Sequence, residues 1–235
     1  MPETTAKTAF WAGARNGAPF ILMAAPFALV YGVLAVEAGL TLAQTMGFSV
    51  LVIAGASQFA ALQMMVDNAA VALVLLAALA VNLRMAMYSA AMVPHIGPAP
   101  LWHRALVAYL LFDQTYIASV ARYEDRPQMT VAQKVAYYFG VATPITPLWI
   151  ICSLIGASVG ATIPDSWAMD FALPLFFTAL VAPMLKSLPH VVAAGVSVAV
   201  ALVLSGLPSG FGLIVAALCA MLAGAMVEQW MEARR

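Results

Sequence analysis

The chain has 235 residues, of which 64% are hydrophobic and 9% charged, and its formal net charge is zero. A soluble domain carries about 25% charged residues, and one of this length has too little interior to hide so much apolar surface. The composition therefore excludes a soluble fold and gives no sign of a nucleic-acid partner. It predicts an all-α, polytopic transmembrane helical bundle, in which residues 1–235 form a single transmembrane domain.

Hydropathy divides the chain into membrane spans, each of which needs roughly 20 mostly apolar residues. The sequence predicts eight spans joined by short connections, or seven if the sixth and seventh merge around the Lys186–His190 stretch. The predicted spans are 17–37, 45–66, 69–93, 103–121, 135–160, 168–187, 190–206 and 211–231.

The basic residues give an orientation for this map. Cytoplasmic loops of membrane proteins carry an excess of Lys and Arg. With a cytoplasmic N-terminus, the inner side receives Lys7, Arg15, Arg122, Arg126, Lys134, Lys186, Arg234 and Arg235. Only Arg104 falls on the outer side, and Arg84 lies within a span. The asymmetry predicts that both termini are cytoplasmic.

The chain also contains a faint internal repeat. A shift of 121 residues aligns three positions, Pro26 with Pro147, Gly39 with Gly160 and Thr41 with Thr162. Copies an even number of spans apart run parallel, and several transporter folds contain such repeats. Chance matches in so biased a composition are the alternative.

Polar side chains inside predicted spans are the main candidates for function, because they are costly in hydrocarbon and normally face protein or water. The third span carries Asn82 on one side and Arg84 with Tyr88 on nearly the opposite side. This helix should therefore be central in the bundle. Arg84 either meets a carboxylate of a substrate or side chain, or serves a structural ion pair or snorkels toward the outer surface.

The fourth span places Asp113 near mid-membrane, with Tyr109 and Tyr116 on the same helical face. The third and fourth spans are predicted to be adjacent and antiparallel, so Asp113 is the expected partner of Arg84. Two charges buried separately would cost far more than a neutralised pair, so we expect the two residues to pair or to share a water-filled cavity. Asp113 as a proton carrier is a further interpretation.

The second span contains small and polar residues, including Ser57 and Gln58. They indicate either close helix packing with one polar clasp or a substrate-facing breach in the helix. Prolines predict helix breaks at Pro26 in the first span and at Pro144 and Pro147 in the fifth. Broken helices often form the substrate site of transporters, although proline kinks without function also occur.

No motif in the sequence indicates catalysis or a cofactor. His95, His103 and His190 lie at separate span ends, so no metal site is predicted. The sequence has no Walker motif, glycine-rich nucleotide loop, HExxH or GxSxG element. We therefore expect neither an enzyme nor a bound cofactor.

Three motifs together resemble the AzlC family, the large subunits of bacterial branched-chain amino acid exporters. They are GASQFAAL at 55–62, NLRMAMYSAAMVP at 82–94 and FDQTY at 112–116. The opening GARNGAPFILMAAPFALVYG and the later DFALPLFFTALVAPML are also similar to that family, so the resemblance covers nearly the whole chain.

The resemblance implies a multi-pass protein of the bacterial plasma (inner) membrane that works with a small hydrophobic partner of about four spans, similar to AzlD. It implies export of leucine, isoleucine, valine and sometimes methionine, driven by the proton gradient. Arg84 and Asp113 carry the charges that a zwitterionic amino acid needs, and Gln58, Asn82 and Tyr88 would be their polar neighbours.

Three other functions compete with this interpretation. A transporter or channel for another small solute would move that solute, and a channel would do so without coupling to a gradient. An intramembrane enzyme would need convergent acid, base or metal residues. A non-transporting assembly subunit would bind a partner and give no flux.

Overall fold

In the computed structural model of the chain, the described residues are 5–161, 185, 187–204 and 211–233. All regular secondary structure in these ranges is helical, which confirms the predicted all-α class. The elements are α1 Ala6–Gly17, a 3-10 turn Ala18–Phe20, α2 Ile21–Glu37, α3 Leu42–Leu51, α4 Gly55–Val66, α5 Val71–Ile96, α6 Leu101–Tyr109, α7 Asp113–Asp125, α8 Val131–Gly160, α9 Leu188–Val203 and α10 Phe211–Glu232.

Three helices of the described part are long and apolar enough to cross a membrane, namely Ala6–Glu37, Val71–Ile96 and Val131–Gly160. They correspond to the first, third and fifth predicted spans. The sixth predicted span, 168–187, lies almost wholly outside the described residues. The chain is therefore a helical membrane bundle, as its composition predicts.

Two compact units make up the chain, one of residues 1–59 and 78–163 and the other of residues 60–77 and 164–235. In the second unit α9 and α10 pack antiparallel, since Gly212 lies against Leu204 and Gly224 lies against Ala193. The first unit contains every polar candidate residue that the sequence indicates.

The first unit is built on a close pair of long helices, the α1–α2 run and α8. A Cβ atom added at Gly13 would collide with the carbonyl oxygen of Tyr137, and one added at Gly156 with that of Leu29. Small residues let backbones touch in this way. The contacts advance together along both helices, so the helices run parallel. The predicted internal repeat would also make these two helices parallel. The pairing of individual residues between its two copies stays a prediction.

The second predicted span, 45–66, is two helices and not one. Three non-helical residues separate α3 from α4. Gln58 Nε2 donates to the carbonyl oxygen of Phe48 at 3.2 Å, and the rings of Phe48 and Phe59 lie 6.2 and 6.1 Å from the ring of Tyr31. A straight helix would carry Phe59 roughly 16 Å beyond Phe48. The chain therefore folds back at the break, and α3 and α4 form a hairpin.

The fourth predicted span, 103–121, is also folded back. His95, at the end of α5, has its Nδ1 3.4 Å from the Nζ of Lys134 at the start of α8. Tyr123, near the end of α7, donates its hydroxyl to the Lys134 carbonyl at 2.8 Å. The end of α5 and the end of α7 therefore both lie beside the start of α8, so α6 and α7 run inward from that end and back to it. The predicted antiparallel packing of the third and fourth spans is wrong, because α7 runs parallel to α5.

No single helix of either hairpin is long enough to cross a membrane. α3, α4, α6 and α7 have 10, 12, 9 and 13 residues. Even the longest is roughly 20 Å long at 1.5 Å per residue, against about 30 Å of hydrocarbon. The second and fourth predicted spans are therefore pairs of short helices that fold back, and we expect both to be re-entrant, one from each end of the first unit. Hydropathy does not detect the turns because the residues around both breaks are apolar.

The fold-back of these two segments also changes the end of the first unit at which Arg104 is expected. All Lys and Arg residues of the first unit except Arg84 lie at the end where α8 begins, namely Lys7, Arg15, Arg104, Arg122, Arg126 and Lys134. Arg104, which the eight-span map placed alone on the outer side, belongs with the others. The basic end is expected in the cytoplasm. The number of spans and the side of the termini stay predictions.

The helix breaks predicted at prolines are not found. α2 continues through Pro26, and α8 continues through Pro144 and Pro147. Each proline removes only one backbone donor, and a long helix packed against neighbours tolerates that loss. The breaks between α3 and α4 and between α6 and α7 contain no proline, whereas the 3-10 turn between α1 and α2 contains Pro19.

Candidate functional site

The tips of the two hairpins meet inside the first unit. Tyr109, the last residue of α6, donates its hydroxyl to the carbonyl oxygen of Val50 in α3 at 2.6 Å. Four half-helix ends therefore come together, two with backbone N–H groups and two with carbonyls that lack partners within their own helix. Irregular backbone at membrane depth survives where it is buried in protein or lines a water-filled cavity.

Helix α5 passes both tips and holds one on each side. Asn82 Nδ2 donates to Ser57 Oγ, near the start of α4, at 3.1 Å. Arg84 Nη1 lies 2.9 Å from Asp113 Oδ2, at the start of α7. Residues two positions apart point in roughly opposite directions from a helix, at about 100° per residue. α5 therefore has polar contacts on two sides. The prediction that it is central in the bundle is not confirmed, because the surface between these contacts is open: Leu83 and Met87 are 63% and 67% exposed.

The charged pair belongs to a cluster of four side chains. The hydroxyl of Tyr88 donates to Asp113 Oδ1 at 3.1 Å, and the ring of Tyr88 stacks on Tyr116 with centroids 4.0 Å apart. Asp113 lies in the first turn of α7, where the helix dipole favours a negative charge. The side chains of Arg84 and Asp113 are 29% and 34% exposed, so the pair is only partly shielded.

The structure confirms the predicted pairing of Arg84 with Asp113, but for another reason. The two residues meet because α5 and α7 run parallel and Asp113 begins α7. Tyr109, which was expected to share the face of Asp113, lies on the other arm of the hairpin. Tyr116 does share that face. A continuous helix was assumed through residues 110–112, and the break moves Tyr109 away.

Ser57 and Gln58 lie at the other break and are fully buried. Ser57 Oγ donates to the carbonyl oxygen of Ala54 at 2.9 Å and accepts from Asn82. The amide of Gln58 bridges back to Phe48 across the break. The sequence left two interpretations of this segment, a polar clasp or a breach in the helix. The structure shows the polar clasp across the break between α3 and α4, and a substrate-facing role of this break stays a prediction.

Two aromatic residues of α8 support the hairpins and were not identified from the sequence as part of a site. The Tyr138 hydroxyl lies 2.9 and 2.7 Å from the carbonyl oxygens of Val107 and Leu110, and so caps the end of α6. Trp149 lies against Gly55 at the start of α4. Their signal in the sequence is a polar aromatic residue inside an apolar span, away from the interfacial belts.

An open cavity of about 320 Å³ lies at the basic end of the first unit, between α1, α7 and α8. It is lined by Asn16, Phe20, Ala118, Ala121, Arg122, Asp125 and Tyr137. Inside it Arg122 Nη1 is 3.6 Å from Asp125 Oδ2. The volume is at the lower end of small-molecule sites. The cavity contains none of the hairpin-tip residues.

Across the described ranges, no three His, Cys, Asp or Glu side chains converge into a group that could hold a metal ion. His95 contacts Lys134, and His190 Nδ1 lies 2.8 Å from Ser187 Oγ.

These features define a class of protein, a helical membrane bundle with a polar junction of broken helices inside its membrane domain. The family model for AzlC protein matches residues 19–163. The match is more than half of the chain and includes both hairpins, α5 and α8. The chain belongs to the AzlC family.

Curated relatives agree with this membership. An uncharacterized membrane protein of Helicobacter pylori is 28% identical over 153 residues, which are 65% of this chain and 65% of that protein. The inner membrane protein YgaZ of Escherichia coli is 23% identical over 179 residues, 72% of this chain and 70% of that protein. The chain thus spans slightly less than two thirds of the Helicobacter relative. No solved structure matches the chain.

Proposed function

We propose that this chain is the large subunit of a two-component exporter that moves branched-chain amino acids out of a bacterial cell across the inner membrane. The observation that carries the proposal is the junction of two re-entrant hairpins beside a polar stretch of α5. Leucine, isoleucine and valine, with methionine as a further candidate, are the substrates that the family resemblance implies.

The hairpin junction suits transport because it presents backbone ends and polar side chains at mid-membrane. Transporter sites are commonly built from discontinuous helices whose ends replace the water around a substrate. The hairpins enter from opposite ends, so release of one from α5 would open the junction to one side of the membrane. Ser57–Asn82 and Asp113–Arg84 are the contacts that each release would break.

The coupling step of the proposal is assigned to the charged pair. Arg84 and Asp113 form an ion pair, and the hydroxyl of Tyr88 donates a second hydrogen bond to the carboxylate of Asp113. Protonation of Asp113 would remove the attraction to Arg84 and loosen α7 from α5. We assign proton binding to Asp113 and the counter-charge to Arg84, with Tyr88 and Tyr116 as the residues that orient the pair.

A small hydrophobic partner of about four spans, similar to AzlD, completes the exporter in this proposal. Efflux of preloaded, labelled leucine and valine should therefore accelerate only when cells express this chain together with its small neighbouring protein. Collapse of the proton gradient with an uncoupler should stop that acceleration. Expression of both proteins in the membrane is verified by blotting tagged versions.

Two outcomes would contradict the proposal. Acceleration that persists at full rate after the gradient collapses would indicate a channel. An absence of leucine, isoleucine, valine and methionine efflux, despite both proteins in the membrane, would rule out the proposed substrate class.

A further inference from the structure

The cavity at the basic end of the first unit combines two opposite charges with an apolar wall. Its charged side chains are Arg122 and Asp125, and its other polar side chains are Asn16 and Tyr137. The apolar part of the wall consists of Phe20, Ala118 and Ala121. Small-molecule sites typically have an apolar lining with a few polar groups that fix the orientation of the ligand. This lining therefore matches a small ligand that carries both charges and an apolar part.

The ring of Tyr137 holds the polar side of the cavity in place. Tyr137 is 1% exposed, and the guanidinium carbon of Arg122 lies over its ring, 5.6 Å from the centroid. Asn16 Nδ2 donates to the Tyr137 hydroxyl at 2.8 Å. One buried side chain of α8 thus contacts a polar residue of α7 and one of α1. The polar wall is built by three helices and does not depend on a single exposed side chain.

The two charges of the cavity leave room for a ligand beside them. Arg122 Nη1 is 3.6 Å from Asp125 Oδ2, whereas the corresponding distance in the hairpin-tip pair is 2.9 Å. Charge-assisted hydrogen bonds between a guanidinium and a carboxylate are about 2.7–2.9 Å long. Asp125 also contacts Arg126, again through Oδ2. In the part of the chain that the structure describes, Oδ1 of Asp125 has no hydrogen-bond or ion-pair partner.

The position of the cavity separates it from the hairpin tips. Arg122 and Asp125 lie in the last turn of α7, and Asp113 begins the same helix. The two ends of α7 are therefore roughly 18 Å apart at 1.5 Å per residue. The basic end is expected in the cytoplasm, which is the side from which an exporter takes its substrate. A ligand in this cavity would be on the uptake side.

We propose that this cavity is the loading subsite at which a zwitterionic amino acid first binds from the cytoplasm. An α-amino acid carries its two charges on neighbouring groups, so it can lie alongside a close pair of opposite charges. Its carboxylate binds the guanidinium of Arg122, and its ammonium binds Oδ1 of Asp125. An aliphatic side chain lies against Phe20 and the two alanines. The subsite rests on the proposed function, since it assigns a binding place to the same substrate.

The test compares ligands that lack one charge or the other. Full-length protein in lipid nanodiscs is titrated with L-leucine, with L-leucinamide, which has no carboxylate, and with 4-methylpentanoate, which has no ammonium. Arg122→Gln should weaken binding of leucine and of 4-methylpentanoate roughly ten- to hundredfold, the usual range for hydrogen bonds to a charged group. It should leave leucinamide binding nearly unchanged, because that ligand has no carboxylate to lose a partner.

Asp125→Asn should give the opposite pattern, with weaker binding of leucine and leucinamide and unchanged binding of 4-methylpentanoate. Asp125 is 65% exposed, so this variant tests the subsite even if Arg122→Gln does not fold. Arg104→Gln is the matched control, because Arg104 is exposed on α6 and does not line the cavity, and it should change no affinity.

Two outcomes would overturn the subsite and leave the proposed function intact. One is unchanged leucine affinity in both variants, and the other is an equal loss for all three ligands in either variant. If the unaltered protein binds none of leucine, isoleucine, valine and methionine, the proposed substrate class and the subsite both fail.

Discussion

Asp113→Asn should lower gradient-driven export roughly tenfold or more, a factor equivalent to about 1.4 kcal/mol, while exchange of labelled for unlabelled leucine continues. Asparagine keeps the size of the side chain and its bond to Tyr88 but cannot bind and release a proton at ordinary pH. Efflux driven by an imposed pH gradient and equilibrium exchange, measured in the same proteoliposomes, separate coupling from substrate binding.

The variant will also cost stability, because Arg84 loses its counter-charge. Removing one partner of a fully buried pair costs about 3–5 kcal/mol, and partial exposure of this pair makes the cost smaller. Asp125→Asn is the control for this stability cost, since Asp125 is 65% exposed in its ion pair with Arg126 and exposed pairs contribute little. If a double variant, Arg84→Gln with Asp113→Asn, exported like the unaltered protein, the pair would be structural and the coupling role would be wrong.

Gly140→Ala should be among the most destabilising single substitutions in the first unit. A Cβ at Gly140 would collide with the carbonyl oxygen of Phe10, so α1 and α8 would have to separate along their contact. Overpacking typically costs about 1–3 kcal/mol and occasionally more. A backbone atom on the opposing helix yields less readily than a side chain, so we expect the upper part of that range or beyond.

The measurement is thermal unfolding in detergent, followed by loss of monodispersity. Gly47→Ala is a matched control on α3, because nothing lies within 4 Å of a Cβ at Gly47. Equal unfolding temperatures for the two variants would contradict the close contact between α1 and α8.

The sequence predicts the helical class from its apolar composition, and it predicts the Arg84–Asp113 pair from the cost of burying two charges separately. It does not predict how exposed α5 is, since Leu83 and Met87 are 63% and 67% exposed. It does not predict the hairpins. The breaks occur in apolar segments without proline, and they are stabilised by distant residues such as Tyr138 and Trp149. Their contacts depend on helix rotation and on parallel packing, which hydropathy leaves open.

Some groups of the candidate site can be identified from the sequence and others cannot. Arg84, Asp113, Asn82 and Gln58 stand out in the sequence because polar groups are rare in spans. The backbone N–H and carbonyl groups at the hairpin tips do not, because every segment of the chain carries such groups. Only the positions of the breaks expose them.

The central claim is that both hairpins are re-entrant and meet at their tips, and thiol labelling of intact cells tests it most directly. Single cysteines at Pro98, Gln128 and Gly39, in a background where Cys152 and Cys219 are replaced by alanine, mark three turns of the first unit. The account predicts that an impermeant reagent labels position 39 and reaches 98 and 128 only after the cells are opened. Labelling of 98 from outside with 128 still protected would mean that residues 101–125 cross the membrane, and the account would be wrong.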